Sequence, residues 1–307
     1  MHISWQFKSD IKNELKSSLT SQLKTLGLEV NEQDILENLV LQYNHYKMKM
    51  VTRKRRNVLF AKEFDASKLN DNQKAGLKNL VQSIKNGDSL RPYMSRSVLK
   101  KRIDNHLFQW NIQHFHLNDR LCEDGFVERS GPLAHVLFDD NNAYFLGVWP
   151  HGEWDNPMLI QIIYDNWPEK TTQLGDAKGE KPLSEQEIKK LRKLRINILE
   201  TSINGSFIHT GGAGINADGT SILAQGYTMH LIHNLIPLIE KNAETVARSD
   251  IEEWLNKYHE KINPPPKGVK VFLTYYFEPI FEGHPLQINF HYSWQFDNVD
   301  SHDEAPK

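Results

Sequence analysis

Between residues 8 and 87 apolar positions recur every three to four residues in three stretches, which predicts three helices. In SDIKNELKSSLTSQLKTLG, Ile11, Leu15, Leu19, Leu23 and Leu26 fall on one face, and Gly27 supplies the stop. NEQDILENLVLQYNHYKMKM starts at a capping Asn31 and buries Ile35, Leu36, Leu39 and Tyr43. DNQKAGLKNLVQSIKNG closes at Gly87. After the loop DSLRPYMSR, SVLKKRIDNHLFQW reads as a fourth helix.

From residue 111 the period changes to two. IQHFHL sets Ile112, His114 and His116 against Gln113, Phe115 and Leu117. AHVLFDDNNAYFLGVW reads as a hairpin turning at Asp139, Asp140, Asn141 and Asn142, with HGEWDNP ending its second strand. MLIQIIYDNW is a short buried helix. PEKTTQLGDAKGEKP is polar and rich in breakers, so it reads as a linker. Ser184 and Glu187 then form a capping box for SEQEIKKLRKLRINILE. GSFIHTGGAGINADGTSILAQ reads as a Gly-rich hairpin, and GINADGTS within it as a turn, since Thr220 stands where a phosphate loop carries lysine. Two amphipathic helices follow. The strand GVKVFLTYYF comes after Pro264, Pro265 and Pro266. The last strand, LQINFHYSWQF, puts Leu286, Ile288, Phe290, Tyr292, Trp294 and Phe296 on one face. Its SWQF repeats residues 4–7, either by coincidence or because both are edge strands. The class expected is α+β: a helical region at 1–96, a small antiparallel sheet with flanking helices at 97–168, a linker at 169–183 and an α+β region at 184–307.

Composition adds few constraints. The 307 residues are 39% apolar and 25% charged, a globular composition with no apolar run long enough to span a bilayer. MHISWQFKSDIKNELK has no apolar signal core, and the single Cys122 precludes an internal disulfide and a cysteine zinc site. A reducing, cytoplasmic location is expected. Net charge is −2, but KMKMVTRKRR at 47–56 carries six cations and KKLRKLR at 189–195 carries five, neither with an acid. These runs are either solvated faces or phosphate contacts, the latter through Arg53, Lys54, Arg55 and Arg56. His230 and His233, three apart on a helix, read as a core edge.

His114 and His116 project to one strand face about 7 Å apart. They line a polar face, bind a metal, or join a catalytic cluster with the HGEWD sequence: His151, Glu153, Trp154 and Asp155. No H-E-x-x-H or cysteine pair completes a metal site, so neither metal nor cofactor is expected. A strand pair closing on His-x-Glu-aromatic-Asp before a helix resembles the RelE-like mRNA interferases, HigB-like branch, over residues 97–165. The family's arginine in the first hairpin strand has no counterpart in PLAHVLF; Arg129 lies just before it. The resemblance implies a toxin- or phage-defence-type endoribonuclease that needs no metal, with RNA as substrate and an antitoxin protein as partner. Such chemistry needs a base for the 2′-hydroxyl, an acid for the 5′-oxygen and cations for the phosphorane. His151 with His114 or His116 suits the first two roles, with Glu153 beside them. Arg120, Arg129, Lys100, Lys101 and Arg102 are the candidate cations, and Trp149 and Trp154 the candidate base-stacking rings. The alternative is a non-catalytic module that binds nucleic acid or protein in a defence or mobile-element system, with no membrane partner in either case.

Overall fold

The computed structural model describes residues 3–100, 103–152, 155–258, 267–277 and 288–296. In chain order its elements are β1 (Ser4–Lys8), α1 (Ile11–Thr25), α2 (Leu36–Lys49), β2 (Asn57–Phe60), α3 (Asp71–Asn86), α4 (Asn105–Trp110), β3 (Ile112–His116), β4 (Pro132–Phe138), β5 (Asn142–Pro150), α5 (Met158–Asn166), β6 (Thr172–Asp176), α6 (Glu185–Lys193), β7 (Glu200–Ile203), β8 (Ser206–His209), α7 (Ile222–His230), α8 (Ile236–Tyr258), β9 (Gly268–Phe277) and β10 (Ile288–Phe296). The class is α+β. No helix among the described residues is long and apolar enough to cross a membrane. The chain forms two compact units, one from described residues within Met1–Leu41, Tyr227–Ile280 and Pro285–Lys307, the other from Gln42–Gly226.

In the first unit β9 is the centre of a three-stranded sheet, parallel to β1 and antiparallel to β10. The two SWQF copies are indeed edge strands, and they flank the same residues. Trp5 and Phe296 both pair with Val269, and Phe7 and Trp294 both pair with Val271. Val269 and Val271 are fully buried. On the covered face Arg248 of α8 lies 5.0 Å from the Trp5 ring, and Trp254 stacks edge-on to Trp294 at 4.9 Å. The two helices expected at 228–246 and 250–262 run together without a break in α8, and a π-helical turn, Leu231–Leu235, separates α8 from α7. Pro237 explains the turn, because it lacks the N–H that would continue the regular ladder. The proline run and Leu286 lie outside the described residues.

The second unit holds a mixed sheet in the order β2-β5-β4-β3 and an antiparallel sheet β6-β8-β7. Between them α5 contributes Leu159, Ile160, Ile162 and Ile163 to one core with Trp110, Ile112, Leu137, Tyr144, Leu146, Ile188, Ile203 and Ile208. The hairpin turns where Asp139 accepts the backbone N–H groups of Asn141 (2.8 Å) and Asn142 (2.7 Å), an Asx turn.

Four expectations are corrected. NVLF is a strand, β2, hydrogen-bonded in parallel to β5; four residues are too few to show a period. The fourth helix is only a 3-10 turn, Arg96–Leu99, and the six-residue α4. Asp104 caps α4 by accepting the Leu107 N–H at 3.0 Å, which fixes a new helix start. The stretch read as a linker contains β6, paired with β8. The Gly-rich segment forms a hairpin only with the residues before it, β7 with β8, and then runs as a loop to α7.

Gly76 is buried in α3. A Cβ there would lie 2.3 Å from the Asn118 backbone nitrogen. In an exposed helix Gly→Ala stabilises by about 1 kcal/mol. Here the sign reverses: Gly76→Ala is expected to destabilise by about 1–3 kcal/mol, the usual range for overpacking. The midpoint of urea unfolding measures this, and an unchanged or raised midpoint sinks it.

Candidate functional site

Strand register assembles the histidines. His114 of β3 pairs with His135 of β4, and His135 pairs with Gly147 of β5. The next row is His116, Leu133 and Trp149. One sheet face therefore carries His114, His116, His135 and Trp149. His151 joins them directly after β5, its backbone N–H donated to the Gly131 carbonyl at 3.1 Å. The His116 and His151 rings are 5.4 Å apart, and His106 of α4 meets His135 edge-on at 5.3 Å.

This face is not the polar side of an ordinary strand. His116, His135 and His106 are buried at 2%, 1% and 1% exposure. His135 is further covered by Trp149, its ring centroid 5.3 Å away. Gly147 makes that possible, since a Cβ there would lie 2.4 Å from the Trp149 ring. Only His114 and His151 reach solvent, His114 partly and His151 well.

Burial disfavours the charged ring. It pushes His116 down to about 4, helped by positive charge on His151, His114 and Arg129. It pushes His135 down to about 3, with His114 adding to the effect. His151 is lowered for the same reasons, burial first, then His114 and Arg129. His116 Nδ1 also accepts the Ser130 N–H at 3.4 Å. His114 has an acid beside it, with its Nδ1 3.7 Å from Asp104 Oδ2.

Below His114 lies a water-sized cavity of about 20 Å³ lined by Lys49, Ser95, Ser97, Asp104 and Gln113. Lys49 is buried and donates to the Lys100 carbonyl at 2.7 Å; burial pushes its amine down to about 8, opposed by Asp104. One of the six cations in the first basic run is thus interior, which corrects its reading as a uniform surface. The second run also contains a buried member. Arg192 is 5% exposed, donating to Asp155 at 2.8 Å and Gln109 at 2.9 Å, with its guanidinium 4.1 Å from the Trp110 ring.

The structure thus brings together His114, His116 and His151. It does not bring Arg120, which is exposed and faces Glu128 at 3.9 Å. The exposed Arg129 is the arginine whose charge acts on His116 and His151. Glu153, Trp154, Lys101 and Arg102 lie outside the described residues, and Lys100 is exposed. Arg53, Lys54 and Arg55 are exposed and Arg56 is half-buried. Among the described residues no three His, Cys, Asp or Glu are arranged to hold a metal ion.

Sequence reasoning missed His106, His135 and Asp104. A lone histidine in the apolar strand PLAHVLF was a visible signal. The pairing that brings it to His114 was not, because residues 117–131 separate β3 from β4 and leave the register open. No protein-family model, curated protein or solved structure matches the chain.

Proposed function

We propose that this protein is a metal-independent endoribonuclease that cleaves RNA by attack of a 2′-hydroxyl on the adjacent phosphorus. The observation carrying this reading is the histidine face, with two members, His151 and His114, that reach solvent. His151 has its protonation disfavoured by burial and by neighbouring positive charge, so it is neutral at pH 7 and suited to take the 2′-hydroxyl proton. His114, whose Nδ1 lies 3.7 Å from Asp104 Oδ2, is assigned the role of the acid that protonates the departing 5′-oxygen. Arg129 is the nearby cation for the charge that builds on the phosphorane oxygens. The products are a 2′,3′-cyclic phosphate and a 5′-hydroxyl, and one proton enters the site as another leaves.

The RelE-like resemblance of residues 97–165 supports the same reading and suggests a toxin- or defence-type role with a separate antitoxin. The test uses the full chain and labelled RNA in the presence of a chelator. Cleavage should leave cyclic phosphate ends, and His151→Ala should slow it by about 10²–10⁴-fold, the usual contribution of a proton-transfer group. Expression of the parent chain should arrest growth and the variant should not. Cleavage at 2′-O-methyl positions, or an unchanged rate in His151→Ala, rejects the proposal. The exposed cations at 53–55 favour a second reading, a non-catalytic binding module, which RNA binding without any cleavage selects.

A further inference from the structure

Where β2 begins, the chain passes the end of α3 and leaves an open groove of about 670 Å³ lined by Arg55, Arg56, Asn57, Val58, Lys85 and Asn141. Among the described residues no carboxylate lines it. Arg55 and Lys85 are exposed, and neither has an acid within 4.0 Å among the described residues. Two nearby acids, Asp139 and Asp140, put their charge on Arg56 of the lining and not on Arg55 or Lys85. Asp140 faces Lys54 at 4.0 Å, and Asp139 is held by Lys170 and by the Tyr144 hydroxyl at 2.8 Å.

The backbone around the groove is held by hydrogen bonds. The Arg56 N–H is donated to the Ile84 carbonyl at 3.2 Å and the Asn57 N–H to the Asn141 carbonyl at 2.9 Å. The Arg56 side chain donates to the carbonyls of Asp139 and Thr52, both at 2.8 Å, and of Lys54 at 3.3 Å. Gly87, with φ of +79°, leaves no room for a Cβ against the Arg55 backbone, so the helix end and the basic run fit closely. A helix C-terminus ordinarily repels anions. Here Gly87 and Asp88 donate to Ile84 and Ser83, and Arg55 reaches the Asn86 carbonyl, so these carbonyls are already occupied.

A second observation indicates which anion fits. Two residues beyond Val58, on the same face of edge strand β2, Phe60 is 46% exposed. The Phe64 and Phe145 rings, at 4.7 and 5.0 Å, support it from within. Cations beside an exposed, braced aromatic ring match the needs of single-stranded nucleic acid, in which phosphates alternate with flat bases. An acidic peptide would use the cations and leave the ring idle.

We infer that this groove binds the phosphodiester backbone of single-stranded RNA, with Arg55 and Lys85 contacting phosphates and Phe60 stacking on a base. It shares its ligand class with the proposed function but none of the chemistry. The probe is therefore a fluorescent 2′-O-methyl uridine dodecamer, which cannot be cleaved by 2′-hydroxyl attack. Binding can then fail while cleavage stands, or the reverse. Arg55→Glu with Lys85→Glu should weaken binding by at least about tenfold and reduce the slope of log affinity against log salt by about 1.4, or about 0.7 for each phosphate no longer neutralised. Both side chains are exposed, so the fold should be kept. Phe60→Leu should weaken binding by about fivefold or more with the slope unchanged, and Phe60→Tyr should retain it. An unchanged slope in the charge variant overturns the inference. So does displacement of the dodecamer by poly-glutamate at equal charge concentration, which identifies an acidic polypeptide as the ligand. Inorganic phosphate binding as tightly as the dodecamer also overturns it, since the site then holds a free anion only.

Discussion

Arg192→Ala is expected to cost about 3–5 kcal/mol of folding stability, the range found when one partner of a buried ion pair is removed. The cost has three sources. Asp155, itself 8% exposed, is left as a buried carboxylate without its guanidinium. The carbonyl oxygen of Gln109, a fully buried side chain, loses its donor from Arg192 Nε and keeps only the long 3.4 Å contact from Ile198 N–H. The face of Trp110, whose indole N–H is fixed on the Ile198 carbonyl at 2.8 Å, loses the cation stacked on it. Lys193→Ala, one residue on and exposed, should cost less than about 0.5 kcal/mol. Guanidinium chloride midpoints on the two variants decide the matter. Equal losses would mean that Arg192 is held no more tightly than its neighbour. The double variant Arg192→Met with Asp155→Leu should recover much of the loss, because removing both charges removes the desolvation penalty with the attraction.

The position of Arg192 is legible in part. It is four residues after Ile188, so helical spacing places it on the buried face. The five cations within seven residues hide this, because charge density read by stretch takes no account of face. Lys49 is hidden in the same way. Elements with a full period are readable: α1 from its leucines, β4 and β5 from the Asx turn, β10 from its alternation. Elements that depend on partners are not. β2 and β6 are four- and five-residue strands held by pairing to β5 and β8. The site divides along the same line. His114 and His116 share a face by period alone, and His151 follows from its place at the strand end. Adding His135, His106 and Asp104 requires the β3–β4 register and the cap of α4, which are tertiary facts. Of the two candidate arginines, Arg120 is the closer to His114 and His116 along the chain. After β3 the chain turns away, and it is the return to β4 that brings Arg129 near.

Acidification should destabilise the protein well before its carboxylates titrate. His116 and His135 are held down to about 4 and about 3 in the folded chain, against about 6.5 when unfolded. At pH 7 both states are largely neutral at these positions and the full stability is present. As pH falls below 6.5, the unfolded chain takes up protons that the folded chain refuses, so stability falls with pH. Down to pH 5 the loss is roughly 2 kcal/mol for each histidine. His151, shifted in the same direction, adds to it. Asp139 does not enter in this window. Burial raises its pKa, but hydrogen bonds from Lys170, Asn141, Tyr144 and Asn142 outweigh that and hold it well below the ordinary carboxylate value, so its contribution is lost only at lower pH. Urea unfolding at pH 7 and pH 5 measures the slope, and equal midpoints would sink the argument. His135→Leu should keep most of the pH 7 stability, since an apolar side chain suits a site 1% exposed, and should remove a large part of the acid sensitivity. The same variant bears on function. A buried histidine that stays neutral at pH 7 adds no positive charge beside His151 and His114. His135→Leu should therefore leave RNA cleavage within a few-fold of the parent, while His151→Ala slows it by about 10²–10⁴-fold. Loss of cleavage in His135→Leu with its stability intact would move the proton-transfer role to the buried half of the row.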